Sequence, residues 1–499
     1  MRQKLLLGYD IGSSSIKASV IDADTGALLA SGISPEQEMK IDSPQTGWAE
    51  QYPGTWWQHV VAATTTMFSK KELLSNEIAA IGISYQMHGL VMVDKRHEVI
   101  YPSIIWCDSR AVEVGNKAFS ELGSEYCLGS CLNSPGNFTA SKLKWVKDNR
   151  PDLYSTTFKI MLPGDYIALR MTDEVHTTVS GLSEGILWDF SKKSIADELL
   201  RYYGIDRRFI PEIVPTFGFQ GALTPKAAAE LGLSPGIPIS YRAGDQPNNA
   251  FSLHVLHPGE VAATAGTSGV IYGVTSDNIF DSLGRVNTFA HVNYSEKQPN
   301  KGVLLCINGT GIQYSWLKQS IMDNKLSYEE MNEFAARIPI GSAGLMCYPF
   351  GNGAERSLMN KDVHGHFSGI NFNIHGKGHM IRAAQEGIAF SFRYGLDIMK
   401  SLGMEFKVIK AGNSNLFQSK VFREAFTNTC NVGIEIYNTD GSQGAARGAG
   451  LGIGYYSSSD GAFPGLKIIE KVDTKPELVE KYGSAYEVWK KYLQKVLEN

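Results

Sequence analysis

The chain has 499 residues, too many for one hydrophobic core, which points to two domains or more. Hydrophobic residues make up 43% and charged residues 20%, the balance of an ordinary globular protein. The net charge is −4 with no Lys/Arg-rich run, which argues against a nucleic-acid partner, and no stretch nears the ~18 uninterrupted apolar residues of a membrane span.

The six cysteines form no CxxC pair. Cys127 and Cys131 have no His or second Cys pair near enough in sequence to complete a zinc site. So few cysteines in so long a chain fit a reducing compartment. The opening apolar run, Leu5-Leu6-Leu7, stops at Gly8-Tyr9-Asp10, too short for a secretory leader, so the expectation is a cytoplasmic protein.

In chain order, Lys4–Tyr9 reads as a strand, and Asp10-Ile-Gly-Ser-Ser-Ser-Ile-Lys17 as a polar turn. Ile16–Ile21 and Ala27–Ile33 follow as strands of a meander. A Gly/Ser turn suits phosphate because Gly admits close backbone approach and Ser adds hydroxyl donors; a plain hairpin turn is the equal alternative. Neither the GxxxxGK[ST] nor the GxGxxG spacing is present. Pro53 opens a helix to about Phe68. Ile78–Ser84 is a buried-looking strand that delivers Gln86-Met87-His88-Gly89 to its end. There His88 is placed for a sugar hydroxyl or for a structural hydrogen bond. Trp106 and Asp108 suit a polyol's C–H face and hydroxyls, or equally a core Trp and a helix N-cap. Thr177–Gly185 reads as a small-residue loop.

Ile237–Arg242 is a strand ending at Ala243-Gly244-Asp245-Gln246, with a helix from about Asn248. Asp245 there projects into a cleft as a general base, or caps the helix. The second half opens like the first: strand Glu260–Ala265, turn Gly266-Thr267-Ser268-Gly269, strand Val270–Val274. Two domains of related topology are expected, 1–255 and 256–499. Gly309–Gln313 opens a helix whose N-terminus offers free N–H groups to an anion. Met380–Leu402 is a long helix, Val408–Gly412 a strand, Gln443–Gly454 a Gly-rich helix. An amphipathic helix from Pro476 packs on the outside.

Asp10–Lys17, Gly266–Gly269 and Ala411-Gly412-Asn413 together resemble the FGGY carbohydrate kinases of the actin/hexokinase/Hsp70 superfamily. Gln86–Gly89, Ile105–Arg110, Phe138–Leu143, Leu162–Tyr166 and Gly353-Ala354-Glu355-Arg356 resemble the xylulokinase branch. The resemblance runs in register from about residue 4 to 455. It implies an α/β fold with two ribonuclease-H-like domains around a central cleft, sugar mainly on the first and ATP mainly on the second. It implies Asp245 as catalytic base and Asp10 as the Mg²⁺ aspartate. Ser13, Ser14, Lys17, Gly266, Thr267, Gly309, Gln313, Gly412, Asn413 and Asn415 would serve the nucleotide. Met87, His88, Trp106, Asp108 and Gln246 would serve the sugar. A small sugar, most simply D-xylulose, is the implied partner, and a homodimer is common in such kinases. Gln246 departs from the branch, which usually carries Asn there.

Overall fold

The structure is a computed structural model that describes residues 4–70 and 74–498. Residues 1–3, ahead of the opening apolar run, lie outside the described residues.

Two mixed sheets organise the molecule. The first uses β1 (Leu5–Ile11), β2 (Ile16–Asp22), β3 (Leu28–Ser34), β4 (Ile78–Tyr85) and β5 (Ile239–Gly244), in the order β5-β4-β1-β2-β3. β1, β2 and β3 form the expected antiparallel meander, while β4 and β5 add in parallel on the other side of β1. The second sheet repeats this plan. β6 (Val261–Ala265), β7 (Gly269–Thr275) and, after an edge strand β8 (Asn287–Ala290), β9 (Lys301–Ile307) make the meander. β10 (Val408–Gly412) and β11 (Gly433–Tyr437) add in parallel, and β12 (Ile468–Val472) closes the far edge. The central strands are buried nearly end to end, as sheets covered on both faces require, while the edge strands β3 and β12 are partly exposed.

The Gly-rich helix Gly441–Gly452 belongs to the second half by sequence, yet it lies on the first sheet. A Cβ on Gly8 would stand 2.0 Å from the Ser442 carbonyl oxygen, and one on Gly82 would stand 2.0 Å from that of Ala445. Glycines in the strands and Ala445, Ala446 and Ala449 on the helix are what permit this close approach. The helix Asp245–Ser252 packs beside it, with Asn248 Nδ2 donating to the Gly441 carbonyl at 2.8 Å. These two helices join the halves beneath the cleft.

Most elements fall where the sequence places them, with two differences. Thr177–Gly185 is not a loop: the Thr178 hydroxyl accepts from the Gly181 N–H and caps a helix, Val179–Glu184. The helix after β5 starts at Asp245 rather than near Asn248, so its N-cap is Gly244 and Asp245 is its first residue. The last helix, Pro476–Glu498, buries Tyr482, Tyr486, Trp489 and Leu493 on one face, as its amphipathic pattern predicts. Among the described residues no helix is long and apolar enough to cross a membrane.

Candidate active site

Asp10 stands near the end of β1, where the polar turn begins, and Asp245 leaves the end of β5; the parallel order of β1, β4 and β5 brings them to one edge. Both border a cavity of about 290 Å³ with Ser13, Ser14, Lys17 and Gln86. Ser84 donates to Asp10 Oδ1 at 2.8 Å. Burial raises the Asp10 carboxyl, the charge of Asp440 adds to that, and Lys17 opposes it. Burial pushes the Asp245 carboxyl up to about 7, helped by the charge of Asp10 and opposed by hydrogen bonds at Gln246. A carboxylate poised near 7 is what a general base at neutral pH requires.

Gly266 and Thr267 come from the second half, beside Gln246. With Gln246, Gly412, Asn415 and Asp440 they border a cavity of about 310 Å³. On the far side of the same turn, Asn415, Ile312, Tyr328 and Asn332 border a larger one of about 780 Å³. Phosphate-sized and nucleoside-sized spaces therefore adjoin across Gly266–Thr267. The helix Gly311–Trp316 does not offer its first N–H groups to an anion, contrary to the sequence expectation. Gly311 N donates to the Gly266 carbonyl at 2.8 Å and Ile312 N to that of Thr267 at 3.1 Å. Its N-terminus holds the second loop in place instead.

Gly309 and Gln313 border neither of these two cavities. They line a separate cavity of about 450 Å³, where Gln313 Nε2 reaches Cys347 Sγ at 3.5 Å. Asn413 borders neither nucleotide-side cavity: its N–H donates to the Tyr437 carbonyl at 2.9 Å, and Ser414 takes its place in the lining.

His88 is held from several directions. Its backbone is left-handed at φ 62°, sparsely populated for a non-glycine residue. Its ring lies against Phe138 and Phe289, at centroid distances of 4.8 and 5.2 Å. Nδ1 lies 2.9 Å from the Glu184 carbonyl oxygen, which can only accept, so Nδ1 carries the proton and Nε2 keeps its lone pair. Burial, then the nearby Lys142 ammonium, pushes the His88 ring down to about 3, so the imidazole is neutral. Lys142 Nζ donates to the carbonyls of His88 (2.8 Å) and Ile105 (2.9 Å). Met87 is buried against β5, where a Cβ on Gly244 would stand 2.6 Å from its Cγ.

Trp106 is half exposed and donates from Nε1 to Ser13 Oγ at 3.2 Å, so it flanks the first loop. Asp108 is not free for a polyol, and it caps no helix. Its oxygens accept from Ala49 N at 2.7 Å and from Arg110, with Nη2 at 2.7 Å, and Arg110 also pairs with Glu50. Gln246 donates from Nε2 to Asp245 Oδ2 at 3.2 Å and borders the second-loop cavity.

The structure adds residues that sequence reasoning left without a role: Ser84, Lys142, Glu184, Arg356 and Asp440. Lys142 and Arg356 lay inside quoted motifs. Asp440 pairs with Lys17 across 423 positions, and no local pattern announces such a pair.

The model of the FGGY family of carbohydrate kinases, N-terminal domain, matches residues 5–252, and that of the C-terminal domain matches 261–451. A xylulose kinase of Lactococcus lactis is 28% identical over 502 residues, covering 99% of this chain and 97% of that one. A solved xylulose kinase from Rhodospirillum rubrum has TM-score 0.84 at 22% identity, over 99% of this chain and all of that one. A gluconate kinase from Lactobacillus acidophilus has TM-score 0.88 at 20% identity, over 99% and 98%. The two-domain α/β fold is the one these structures share, and the chain belongs to the FGGY family of carbohydrate kinases.

Proposed function

We propose that the protein transfers the γ-phosphoryl group of ATP to the terminal hydroxyl of a ketopentose, with D-xylulose the first choice and D-xylulose 5-phosphate the product. The observation that carries this reading is Asp245: a buried carboxylate tuned to about 7, set between the serine loop on one side and the Gly266–Thr267 loop on the other. The name of the Lactococcus relative supports the choice of sugar.

In this reading residues 1–255 hold the sugar and 256–499 the ATP. The hydroxyl gives its proton to Asp245 as its oxygen attacks the γ-phosphorus in line, and ADP leaves. Backbone and hydroxyl donors of Ser13, Ser14 and Thr267 hold the phosphates. Asp10 suits Mg²⁺, because its crowding by Asp245 and Asp440 is the kind of repulsion that a dication relieves. Bound there with the nucleotide, Mg²⁺ would offset phosphate charge. The neutral His88 accepts a sugar hydroxyl at Nε2, and Met87 walls the site. Gln246 steadies the base rather than reading the sugar.

A second reading, a sibling kinase for a sugar acid, draws on the name of the gluconate kinase that shares this fold and on Gln246, which engages Asp245. ADP release with Mg²⁺ over D-xylulose, L-xylulose, D-ribulose, L-ribulose, glycerol and gluconate separates the two. Preference for D-xylulose supports the first. Preference for gluconate moves the substrate and keeps the kinase. Silence over the whole panel with folded protein refutes both.

A further inference from the structure

Arg356 stands on a short turn, Arg356–Leu358, in the second half. The loop before it is pinned to the end of β9. Asn308 N donates to Glu355 Oε2 at 2.9 Å, and Asn308 Nδ2 donates to the Ala354 carbonyl at 2.9 Å. The guanidinium is thereby carried across to the first half, 5.6 Å from the centroid of the Phe138 ring. This is the ring that His88 also contacts, while Phe289 reaches His88 from the second half. The contact between the halves is fixed here: Ala290 N donates to Ser183 Oγ at 2.9 Å, and Ser180 Oγ donates to the Ala290 carbonyl at 3.1 Å. Both halves thus build one aromatic cage whose polar members are His88 and Arg356.

Other inward-facing arginines have oxygen partners. Arg110 pairs with Asp108 and Glu50, Arg382 with Glu386, and Arg447 donates to the Ala462 carbonyl. Arg356 is partly buried and has no ion pair or hydrogen bond to an oxygen among the described residues. A desolvated guanidinium carries five N–H donors and is costly to leave without acceptors. The neighbouring Glu355 acts on it only through charge and forms no bond to it, so its donors stay open to an acceptor that arrives with a ligand. Arg356 borders neither phosphate-loop cavity and lies on the His88 side, so the ligand is the phosphoryl acceptor rather than the nucleotide.

Building on the sugar-kinase reading, we infer that Arg356 is a substrate-binding residue supplied by the second half. It donates to an acceptor oxygen at the end of the substrate remote from the reacting hydroxyl. A ketose offers a ketone carbonyl there, and a sugar acid offers a carboxylate; both are acceptors only, matched by a donor-only side chain. His88 Nε2, an acceptor, reads a neighbouring hydroxyl. Because the two polar members come from different domains, the sugar is gripped fully only when the halves are together.

The test uses full-length wild type, Arg356→Gln and Arg356→Lys, each checked for folding by thermal melting. KM for sugar and for ATP is measured with D-xylulose, gluconate and xylitol, which lacks the carbonyl. Arg356→Gln is expected to raise the sugar KM of the acceptor-bearing substrate by about 10-fold or more, as for a lost hydrogen bond to a charged group. ATP KM should stay within about twofold, and Arg356→Lys should recover only part of the loss, because an ammonium cannot reproduce the fork. Xylitol should be the least affected. Loss confined to D-xylulose identifies a ketone as the acceptor, and loss confined to gluconate identifies a carboxylate. An unchanged sugar KM in a folded Arg356→Gln protein overturns the inference while leaving the kinase reading intact, as does a parallel rise in ATP KM. A wild type silent on every substrate overturns the kinase reading itself.

Discussion

Lys17, on the strand after the first loop, forms an ion pair with Asp440, the N-cap of the helix Gly441–Gly452. Asp440 Oδ1 meanwhile accepts from Ser442 Oγ at 2.7 Å and Gln443 N at 3.1 Å. The loop's one cation is thus engaged by a carboxylate at the place where the proposed phosphates would come. Asp440→Asn keeps the cap, frees Lys17 and removes a negative charge. ADP should then bind about three- to tenfold more tightly, the scale of one partly screened charge interaction. Calorimetry with ADP, with and without Mg²⁺, reads this directly. Weaker binding would mean that Asp440 positions Lys17 for phosphate instead of competing for it.

As the proposed base, Asp245 sets the expected pH dependence. Its carboxyl titrates near 7, so kcat should fall as pH drops through that value and the base becomes protonated. Asp245→Asn should lose ~10²–10⁴-fold in turnover while sugar binding persists. Stability should move the other way. A folded-state pKa above the unfolded one favours folding at low pH, and that advantage is lost as pH rises through about 7. Asp245→Asn should therefore raise Tm at pH 8 and change it little at pH 4, by calorimetry at both. A wild-type-like acid limb in Gln246→Met would refute the assignment of Gln246 to the base, because losing its Nε2 donor should move that limb upward.

The fold was largely readable in the sequence because period-two strands and Gly/Ser turns are local features. Strand–turn–strand at Asp10 and again at Thr267 marked two copies of one plan, and both sheets carry it in the same strand order. Asp10, Asp245 and Thr267 reach the cleft because strand ends carry them there. What the sequence hid is set by distant contacts. Nothing near Asp108 announces that Arg110 and Ala49 take up its oxygens. Nothing near Gln313 says that the helix turns it toward Cys347. Thr177–Gly185 reads as a loop because small residues have weak helix propensity, and one Thr cap together with tertiary packing overrides it.

Lys142 bears on both stability and sugar affinity. Its pKa is pushed down to about 7 by burial, against the pull of Asp108, yet its amine joins two backbone carbonyls that otherwise lie apart. Lys142→Met fills similar space and leaves those carbonyls without that donor. Each buried unsatisfied group costs about 1–3 kcal/mol, so a Tm drop of several degrees is expected. Sugar KM should rise with ATP KM unchanged, because the His88 backbone at φ 62° loses its tether. A variant that loses stability but keeps its sugar KM would limit Lys142 to a structural role.

Gly441 offers the sharpest test of Asp10. A Cβ at Gly441 would stand 2.4 Å from Asp10 Oδ2, inside any permitted contact, and Asp10 is held from the other side by Ser84. Gly441 is the first residue of its helix, where alanine is conformationally welcome, so Gly441→Ala acts through this contact rather than through the backbone. The Asp10 carboxylate must rotate away. If it serves Mg²⁺, the Mg²⁺ concentration for half-maximal rate should rise by about 10-fold or more, the loss expected when a metal-holding group is misplaced. Sugar affinity measured without nucleotide should stay put, since His88 and Met87 do not border the cavity that Asp10 lines. A rise in sugar Kd equal to the rise in Mg²⁺ requirement would mean that the substitution disturbs the whole floor of the cleft, and the assignment of Asp10 to the metal would lose this support.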